Sequence, residues 1–330
     1  MSAIEAINLR KEFRINKKKE GLSGAFINLF HPKYETKTAV NGINFSIDEG
    51  EMVGYIGANG AGKSTTIKML TGILTPTSGE VRVNGIIPHK NRIKNNLQIG
   101  AVFGQRVQLW WDTPVIESFR LIHKIYEMPK EKYKKNLDMF TDLLDLKDLL
   151  GVPVRQLSLG QKMRCEIAAT FLHDPKIVYL DEPTIGLDIM VKDKIREFIK
   201  ILNKEKRVTV FLTTHDLQDI EEVCKRVIII DGGNLAYDGG LAEIKNEFGN
   251  YRIIQFKVKN VNPQIDKLFE EQKGSITLLN KDGYELSLKF NGRELTAATV
   301  MNMISEYCDI LDLSITEPSI ESIVKDLYKK

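Results

Sequence analysis

One run of nine residues, 57–65, constrains the fold of this chain more than any other part of the sequence. It reads GANGAGKST, follows an apolar stretch of strand length, EMVGYIG, and leads into a stretch of helical period, TTIKMLTGIL. In this strand–helix setting the pattern G-x-x-x-x-G-K-[ST] forms a loop whose backbone N–H groups surround phosphate, with the positive end of the helix directed at it. The run therefore predicts an α/β domain that binds a phosphorylated ligand.

The side chains of this loop have separate expected tasks. Lys63 is expected to reach the β- and γ-phosphates of a nucleotide, and the Ser64 hydroxyl is expected to ligate Mg²⁺. The other candidate nucleotide-binding residues of the loop are Gly57, Asn59, Gly60, Ala61, Gly62 and Thr65.

A second motif ends an apolar strand pattern at KIVYLDE, residues 176–182. Asp181 would orient Mg²⁺ through its water shell, and Glu182 would polarise the attacking water as a catalytic base. Two acids at a strand end are common, but their place after a phosphate-binding loop favours this interpretation.

Further apolar runs of strand length, at 207–214 and 225–231, alternate with longer stretches of helical period. This alternation predicts an α/β domain, 1–240, with a largely parallel, buried central sheet. After Gly239–Gly240 the order becomes β-α-β-β-α-β with a final helix, which predicts a small α+β, ferredoxin-like domain at 241–330. Its expected strands are 252–258, 275–279, 285–290 and 310–315, its helices 264–271, 293–306 and 319–327, and its hairpin turn 280–283.

Bulk properties weigh against several classes of protein. Lys and Arg total 47 against 44 Asp and Glu, a net charge of +3, so no chain-wide basic field indicates a nucleic-acid partner. The three cysteines form no C-x-x-C pair, which is typical of a reducing compartment. No signal peptide is recognisable, and no apolar run approaches the ~20 residues that cross a bilayer, so a membrane role would require a partner.

A third motif, LSLGQ, lies between the first two and precedes a helical stretch; its residues are Leu157, Ser158, Leu159, Gly160 and Gln161. A serine and a glycine at a helix N-terminus form an anion site. The run closely resembles the LSGGQ signature of ABC ATPases, and through Asp231 the chain is identified as a member of that family. The resemblance implies ATP and Mg²⁺ as cofactors, ATP hydrolysis, and a dimer in which the signature of one chain meets the nucleotide held by the other.

The resemblance extends to further segments. Gln105, after the strand Ile99–Phe103, resembles the Q-loop glutamine, which contacts Mg²⁺ and senses the γ-phosphate; Gln108 is the alternative. His215 in TTHD resembles the switch histidine, which bonds the γ-phosphate. Residues 184–188 resemble the D-loop, which touches the partner chain; they include Gly186, Leu187 and Asp188.

The resemblance also points to a residue that stacks on adenine. Phe13, in an L-x-K-x-F stretch, is the candidate stacking residue, and Tyr34 is the alternative. Between them the chain carries an insertion, 15–37, that the minimal family pattern lacks.

Residues 109–115, LWWDTPV, together with the LSLGQ variant and the C-terminal domain, resemble bacterial exporters of drugs and polysaccharides. This implies separate transmembrane permease subunits, a peripheral location at the cytoplasmic face of the membrane, and a homodimer as the simpler assembly. Trp110 and Trp111 are expected to anchor the permease, or alternatively to pack into the helical subdomain.

The competing interpretation is a soluble ABC ATPase that acts on DNA or ribosomes. DNA-repair relatives insert a long coiled coil between the first motif and the signature, where this chain has a gap of globular size. Translation-type relatives carry two complete modules, and this sequence has one phosphate-binding loop. A GTPase is disfavoured because no N-K-x-D motif occurs.

Overall fold

A computed structural model describes residues 2–16, 34–104, 107–248, 251–272, 274–316 and 320–327. The chain divides into two compact units, Met1–Asp238 and Gly239–Lys330. No helix within the described ranges is long and apolar enough to cross a membrane.

The central sheet of the first unit has the strand order β5–β6–β7–β3–β8–β9. The pairs β5–β6, β6–β7, β7–β3 and β3–β8 are parallel, and the side chains of β7 are buried throughout. The predicted parallel, buried sheet is therefore confirmed. Its strands are β3 (Met52–Gly57), β5 (Ile99–Phe103), β6 (Ile177–Asp181), β7 (Thr209–Thr213), β8 (Arg226–Asp231) and β9 (Asn234–Gly240).

A second, antiparallel sheet has the order β2–β1–β4, from β1 (Ser2–Asn16), β2 (Tyr34–Asp48) and β4 (Ser78–Val83). The sequence predicts only the central sheet of this unit and does not distinguish this second sheet from it. The insertion predicted at 15–37 overlaps both long strands, since β1 reaches Asn16 and β2 begins at Tyr34; residues 17–33 lie outside the described ranges. The main core lies between the two sheets and includes Ile4, Ile43, Tyr55 and Phe211.

Most of the helices of the first unit lie between successive strands of the central sheet along the chain. The first, α1, buries Ile67, Met69 and Leu70 in the core between the sheets, while Ile220 packs against Gly54 on the other face of the central sheet. The bounds are α1 (Lys63–Leu70), α2 (Arg92–Asn96), α3 (Val115–Ile125), α4 (Lys130–Leu143), α5 (Leu159–Phe171), α6 (Ile189–Lys206) and α7 (Leu217–Val223), with a 3₁₀ turn at Val154–Gln156.

The parallel register brings the ends of three strands together. Asp181 pairs with Phe103 on one side and with Thr213 on the other, so β5, β6 and β7 finish at the same edge. Because β3 is parallel to β7, its end at Gly57 faces the same way. In open α/β sheets ligands bind at this carboxyl edge.

The second unit begins with α8 (Leu241–Phe248) and has an antiparallel sheet of order β11–β12–β10–β13. Its apolar core includes Ile254, Phe256, Leu288 and Val300. The order β-α-β-β-α-β is that of a ferredoxin-like module. Its elements are β10 (Tyr251–Lys259), α9 (Ile265–Glu271), β11 (Ile276–Asp282), β12 (Glu285–Asn291), α10 (Ala297–Ser305), β13 (Asp309–Thr316) and α11 (Ile320–Leu327).

Two details of this unit differ from prediction. The hairpin turn is predicted at 280–283, but β11 continues to Asp282, which pairs with Glu285, so the turn occupies 282–285, two residues later. The helix expected at 293–306 begins at Ala297, because Thr296 caps it by accepting a hydrogen bond from the Thr299 N–H at 3.1 Å.

Candidate active site

The phosphate-binding loop takes its shape from two glycines in the left-handed region of backbone conformation. Gly60 and Gly62 have φ of 83° and 110°. A Cβ on Gly62 would lie 2.4 Å from the Ala39 carbonyl oxygen, so this position requires glycine on two grounds. Gly62 also caps α1, which directs the N–H groups of the first helical turn into the loop.

Lys63, the first residue of α1, folds back over the loop. Its ammonium donates to the carbonyl oxygens of Gly57 at 2.7 Å and Ala58 at 3.3 Å. Burial lowers the pKa of Lys63, although the carboxylates of Glu182 and Asp181 oppose this effect. The charge is thus held inside the loop, where phosphate would replace the carbonyl oxygens as its partner.

Ser64 and Asp181 form the hydroxyl–carboxylate pair that the sequence predicts for Mg²⁺. The Ser64 hydroxyl donates to Asp181 Oδ2 at 3.1 Å, and Thr213 donates to the other carboxylate oxygen at 2.6 Å. Mg²⁺ usually keeps several waters and takes few protein oxygens beside the substrate phosphates. Two hard oxygen donors at a phosphate-binding loop fit that preference.

Glu182 stands next to Asp181 in an unusual backbone conformation, with φ of 58°. Its N–H donates to the Thr213 carbonyl oxygen at 2.8 Å, which holds the turn. Its Oε1 lies 2.7 Å from His215 Nε2. Burial raises the pKa of Glu182, while His215 and Lys63 act to lower it. Such strained residues often lie at functional sites.

Lys63, Ser64, Glu182 and His215 line one cavity of about 770 Å³, and Asp181 lies beside it, hydrogen-bonded to Ser64 but not in the lining. Phe13 lines it, whereas the alternative stacking residue, Tyr34, is 62% exposed and does not. The lining residues are Phe13, Arg14, Ile15, Lys37, Ala39, Asn59, Gly60, Gly62, Lys63, Ser64, Thr65, Glu182 and His215. Of the other predicted loop residues, Ala61 is buried and Gly57 ends β3.

The glutamine expected to sense phosphate, Gln105, lies outside the described residues. Its alternative, Gln108, donates from its side chain to the Ala101 carbonyl oxygen of β5 and does not line the cavity. The geometry therefore gives Gln108 a structural role.

The signature residues 157–161 lie apart from this cavity. Ser158 caps α5: its hydroxyl accepts from the Gln161 N–H at 3.3 Å, and the Gln161 side chain accepts from the Ser158 N–H at 2.8 Å. Leu159 is 42% exposed and approaches Gly186, where a Cβ would lie 3.3 Å from Leu159 Cδ2. Signature and predicted D-loop are therefore neighbours.

The D-loop and the switch segment are joined by a buried carboxylate that the sequence analysis missed. Asp219 of α7, 1% exposed, accepts hydrogen bonds from the Thr184 hydroxyl and, at 3.0 Å, from the Thr214 hydroxyl. Arg196 of α6 pairs with it at 2.5 Å. Thr214 precedes His215, so Asp219 fixes the segment that carries the histidine. Its position four residues after His215 on a short helix was the available signal.

Glu166 of α5 was also missed. It is 3% exposed, and its Oε1 accepts from the Gln108 N–H at 2.8 Å. Burial raises its pKa to about 7, against the opposing backbone hydrogen bonds of Gln108 and Leu109. The side chain thus ties the signature helix to the segment that leads to the tryptophans.

Trp110 and Trp111 are 44% and 51% exposed. The backbone N–H of Trp110 donates to the Ser118 hydroxyl at 3.1 Å, which holds the main chain at this position. The Lys162 ammonium lies 4.5 Å from the centroid of the Trp111 ring. Both tryptophans remain about half exposed.

Chemically, the cavity combines a phosphate-binding loop, a paired hydroxyl and carboxylate, and a carboxylate of raised pKa beside a histidine. A carboxylate so placed can accept a proton from water as it attacks a phosphoryl group. The aromatic ring of Phe13 offers a face for a nucleobase.

Comparison with known proteins agrees with this arrangement. The family model described as "ABC transporter" matches residues 40–185. Linearmycin resistance ATP-binding protein LnrL of Bacillus subtilis is 30% identical over 89% of this chain and 94% of its own length. Methionine import ATP-binding protein MetN 2 of Enterococcus faecalis is 30% identical over 86% of this chain and 84% of its own length. The chain spans 16% of the cholesterol transporter ABCA5 of Rattus norvegicus, with 32% identity over 82% of this chain.

Two solved structures of ATP-binding proteins from ABC transporters are similar to this chain. A dimeric, post-hydrolysis state of the ATP-binding cassette MJ0796 with ADP and Pi has a TM-score of 0.60 and 27% identity, covering 72% of this chain and 98% of that one. CbiO1 of Clostridium perfringens, part of the cbiONQ transporter complex, has a TM-score of 0.58 and 27% identity. The match covers 74% of this chain and 91% of that one.

Proposed function

Because this chain belongs to the family of ABC transporter ATP-binding proteins, we propose that it energises a membrane transporter, specifically an exporter, through ATP-driven closure of a dimer. Like the cassettes of that family, it hydrolyses ATP. The observation that carries the proposal is the convergence of Lys63, Glu182 and His215 on one cavity, with the capped signature serine outside it.

Within the cavity, Glu182 acts as the general base for the attacking water, and His215 holds its carboxylate at 2.7 Å and contacts the γ-phosphate. Lys63 exchanges its carbonyl partners for the β- and γ-phosphates. Ser64 and Asp181 would hold Mg²⁺, with Gln105 as a third contact, and the ion would neutralise phosphate charge. Phe13 stacks on the adenine.

The dimer follows from the placement of the signature. Ser158 and Gly160 stand at a helix N-terminus, an anion site that lies apart from the chain's own cavity. They are proposed to meet the γ-phosphate held by a second copy, with the D-loop residues Leu187 and Asp188 at the same interface. A homodimer suffices because one chain supplies every element. The C-terminal unit stabilises or regulates this dimer.

The membrane partner is a separate permease, which recruits the chain to the cytoplasmic face. The half-exposed rings of Trp110 and Trp111 support a docking site there, since tryptophans are frequent interface anchors. Export rests on the resemblance of residues 109–115 to exporter sequences. Relatives differ in direction, as LnrL is named for resistance and MetN 2 for import.

The test is recovery of the tagged full-length chain from detergent-solubilised membranes of its own organism. A polytopic membrane protein should co-purify, and ATP turnover should change when the complex is reconstituted into lipid. Transport assays in inverted vesicles then give the direction. Recovery on ribosomes or DNA, without a membrane protein, would overturn the transporter function in favour of the soluble ATPase.

A further inference from the structure

The first unit has a second large cavity, of about 790 Å³, at the opposite edge of the central sheet. It lies where β6 and β7 begin: Lys176 directly precedes β6, and Arg207 lies just before β7. Glu182 and His215 follow the far ends of the same strands. A strand of five residues spans roughly 17 Å, so this cavity is separate from the ATP cavity.

Part of the lining is a closed ionic cluster. Asp174 pairs with Lys206 at 2.5 Å and with Lys132 at 3.0 Å. Lys206 also donates to the Asn136 side chain at 2.9 Å, and the Asn136 amide donates back to Asp174 at 3.0 Å. Asn136 is 2% exposed, so the cluster joins α4 to the end of α6 rigidly. The single acid here is already shared by two lysines.

Three further cations of the lining are unpaired. Lys135, Lys176 and Arg207 border the cavity and make no side-chain hydrogen bond or ion pair with any described residue. These cations and the two remaining acids, Glu49 and Glu131, are all exposed. Among the described lining residues, five cations against three acids leave a net positive charge.

Three described residues of the lining have positive φ. Asn84, Asp174 and Arg207 have φ of 46°, 56° and 53°, and Arg207 is the left-handed C-cap of α6. A left-handed residue is an ordinary way to end a helix, so this conformation fixes where Arg207 lies and is not itself a sign of a ligand.

From the net positive charge of the lining and its three unpaired cations, we propose that the cavity is a second anion site. It binds a small ligand carrying two or more phosphate groups. Lys135 from α4, Lys176 before β6 and Arg207 after α6 contact the phosphates; the guanidinium does so through two parallel N–H groups. No aromatic side chain among the described residues lines the cavity, so the ligand is recognised by charge rather than by a nucleobase. A bound anion would link α4 to the edge of the central sheet at which β6 and β7 begin.

The experiment titrates inorganic pyrophosphate onto the full-length chain by calorimetry, in a Lys63→Ala background that removes the phosphate partner from the ATP cavity and needs no competing nucleotide. The test variant is Lys135→Ala/Lys176→Ala, which leaves the Asp174 cluster intact. Arg207→Gly is a second variant, because glycine accepts the positive φ while the charge is removed. Lys204→Ala is the matched control: an exposed lysine on α6 that does not line the cavity. A parallel flotation with phosphatidylglycerol vesicles distinguishes a lipid headgroup from a soluble ligand.

We expect one pyrophosphate per chain in the Lys63→Ala background, with an affinity that falls as salt rises. Lys135→Ala/Lys176→Ala should weaken binding at least about tenfold and Arg207→Gly similarly, since each removes a charge-assisted hydrogen bond. Lys204→Ala should bind as the wild type does. If vesicles rather than pyrophosphate bind with this variant pattern, the phosphate donor is a lipid headgroup. Binding in neither arm, or equal binding by all four proteins, overturns the site.

Discussion

At the scale of single residues, Glu182 is the group on which hydrolysis should depend most. Glu182→Gln keeps the shape and the neighbours of the side chain but removes the base, so ATP turnover should fall by about 10²–10⁴. Nucleotide binding should survive, because Lys63 and the loop are unchanged. Glu197→Gln, the same change at an exposed position of α6, is the control. Wild-type turnover by Glu182→Gln would remove Glu182 from the chemistry.

The buried carboxylate of Asp219 is expected to contribute strongly to the stability of the folded chain. Asp219→Asn leaves Arg196, 3% exposed, with its charge incompletely compensated and weakens the anchor of Thr184 and Thr214. Breaking a buried ion pair in this way costs about 3–5 kcal/mol, which urea unfolding would measure. Asp193→Asn, which removes the exposed partner of the same arginine, should cost about 0–1 kcal/mol. Equal costs would mean that Asp219 is no more central than Asp193.

Site residues that lie close together along the chain could be predicted from the sequence, and those that lie far apart could not. Lys63 and Ser64 belong to a contiguous motif, and Asp181 and Glu182 end one apolar run, so their convergence follows from strand order. Arg196 and Asp219 lie 23 residues apart on different helices. A charged residue beside an apolar helix face is normally solvated, and only the three-dimensional packing shows that this one is buried and paired.

At the scale of elements, Glu166 links α5 to the segment after β5, and its titration should be visible in stability. Its pKa of about 7 in the folded chain exceeds the ordinary 4.5, so the folded state binds the proton more tightly. Wild-type stability therefore loses this contribution as pH rises from about 4.5 to 7. Glu166→Gln retains an acceptor for the Gln108 N–H but does not titrate.

Relative to wild type, the unfolding free energy of Glu166→Gln should thus increase across that pH range and level off above it. Urea unfolding at a series of pH values measures the difference. Glu205→Gln, an exposed glutamate of α6, should give a flat difference. A flat difference for Glu166→Gln as well would show that the buried carboxyl is already ionised at pH 5.

We expect Trp110 and Trp111 to contribute to binding of the permease and not to ATP hydrolysis. Trp110→Ala or Trp111→Ala should leave basal ATP turnover of the isolated chain unchanged, since neither ring lines the ATP cavity. Co-purification with the permease should weaken by about 2 kcal/mol or more. Tyr284→Ala, at a 77% exposed aromatic of the other unit, is the control. Unchanged association together with collapsed turnover would make the tryptophans core residues.

The elements themselves were predictable to different degrees. The side chains of β3, β6, β7 and β8 in the central sheet are mostly buried on both faces and appear as apolar runs, so the sequence predicts these strands. The sheet of β1, β2 and β4 is assembled by pairing between distant segments and has more polar strands, so periodicity did not separate it. In α10 the start depended on one capping residue, Thr296, which the apolar pattern does not mark.

At the scale of the whole molecule, the sequence predicted an ATPase unit followed by a smaller α+β unit, because the order of elements changes between them. Assembly is different, since it depends on surfaces that no single chain completes. One chain holds Lys63 in its cavity and Ser158 apart from it, and closure of two copies would bring each serine to the other's nucleotide. Nucleotide would then stabilise the dimer by mass action.

The most direct test of this account is the mass of Glu182→Gln in solution, measured by light scattering with and without saturating Mg-ATP. We expect a monomer without nucleotide or with ADP and a dimer with Mg-ATP, because the variant binds ATP without consuming it. Adding Ser158→Arg, which fills the signature anion site, should restore the monomer while ATP still binds. A monomer that persists at saturating Mg-ATP, or a dimer indifferent to nucleotide and to Ser158→Arg, would contradict the account.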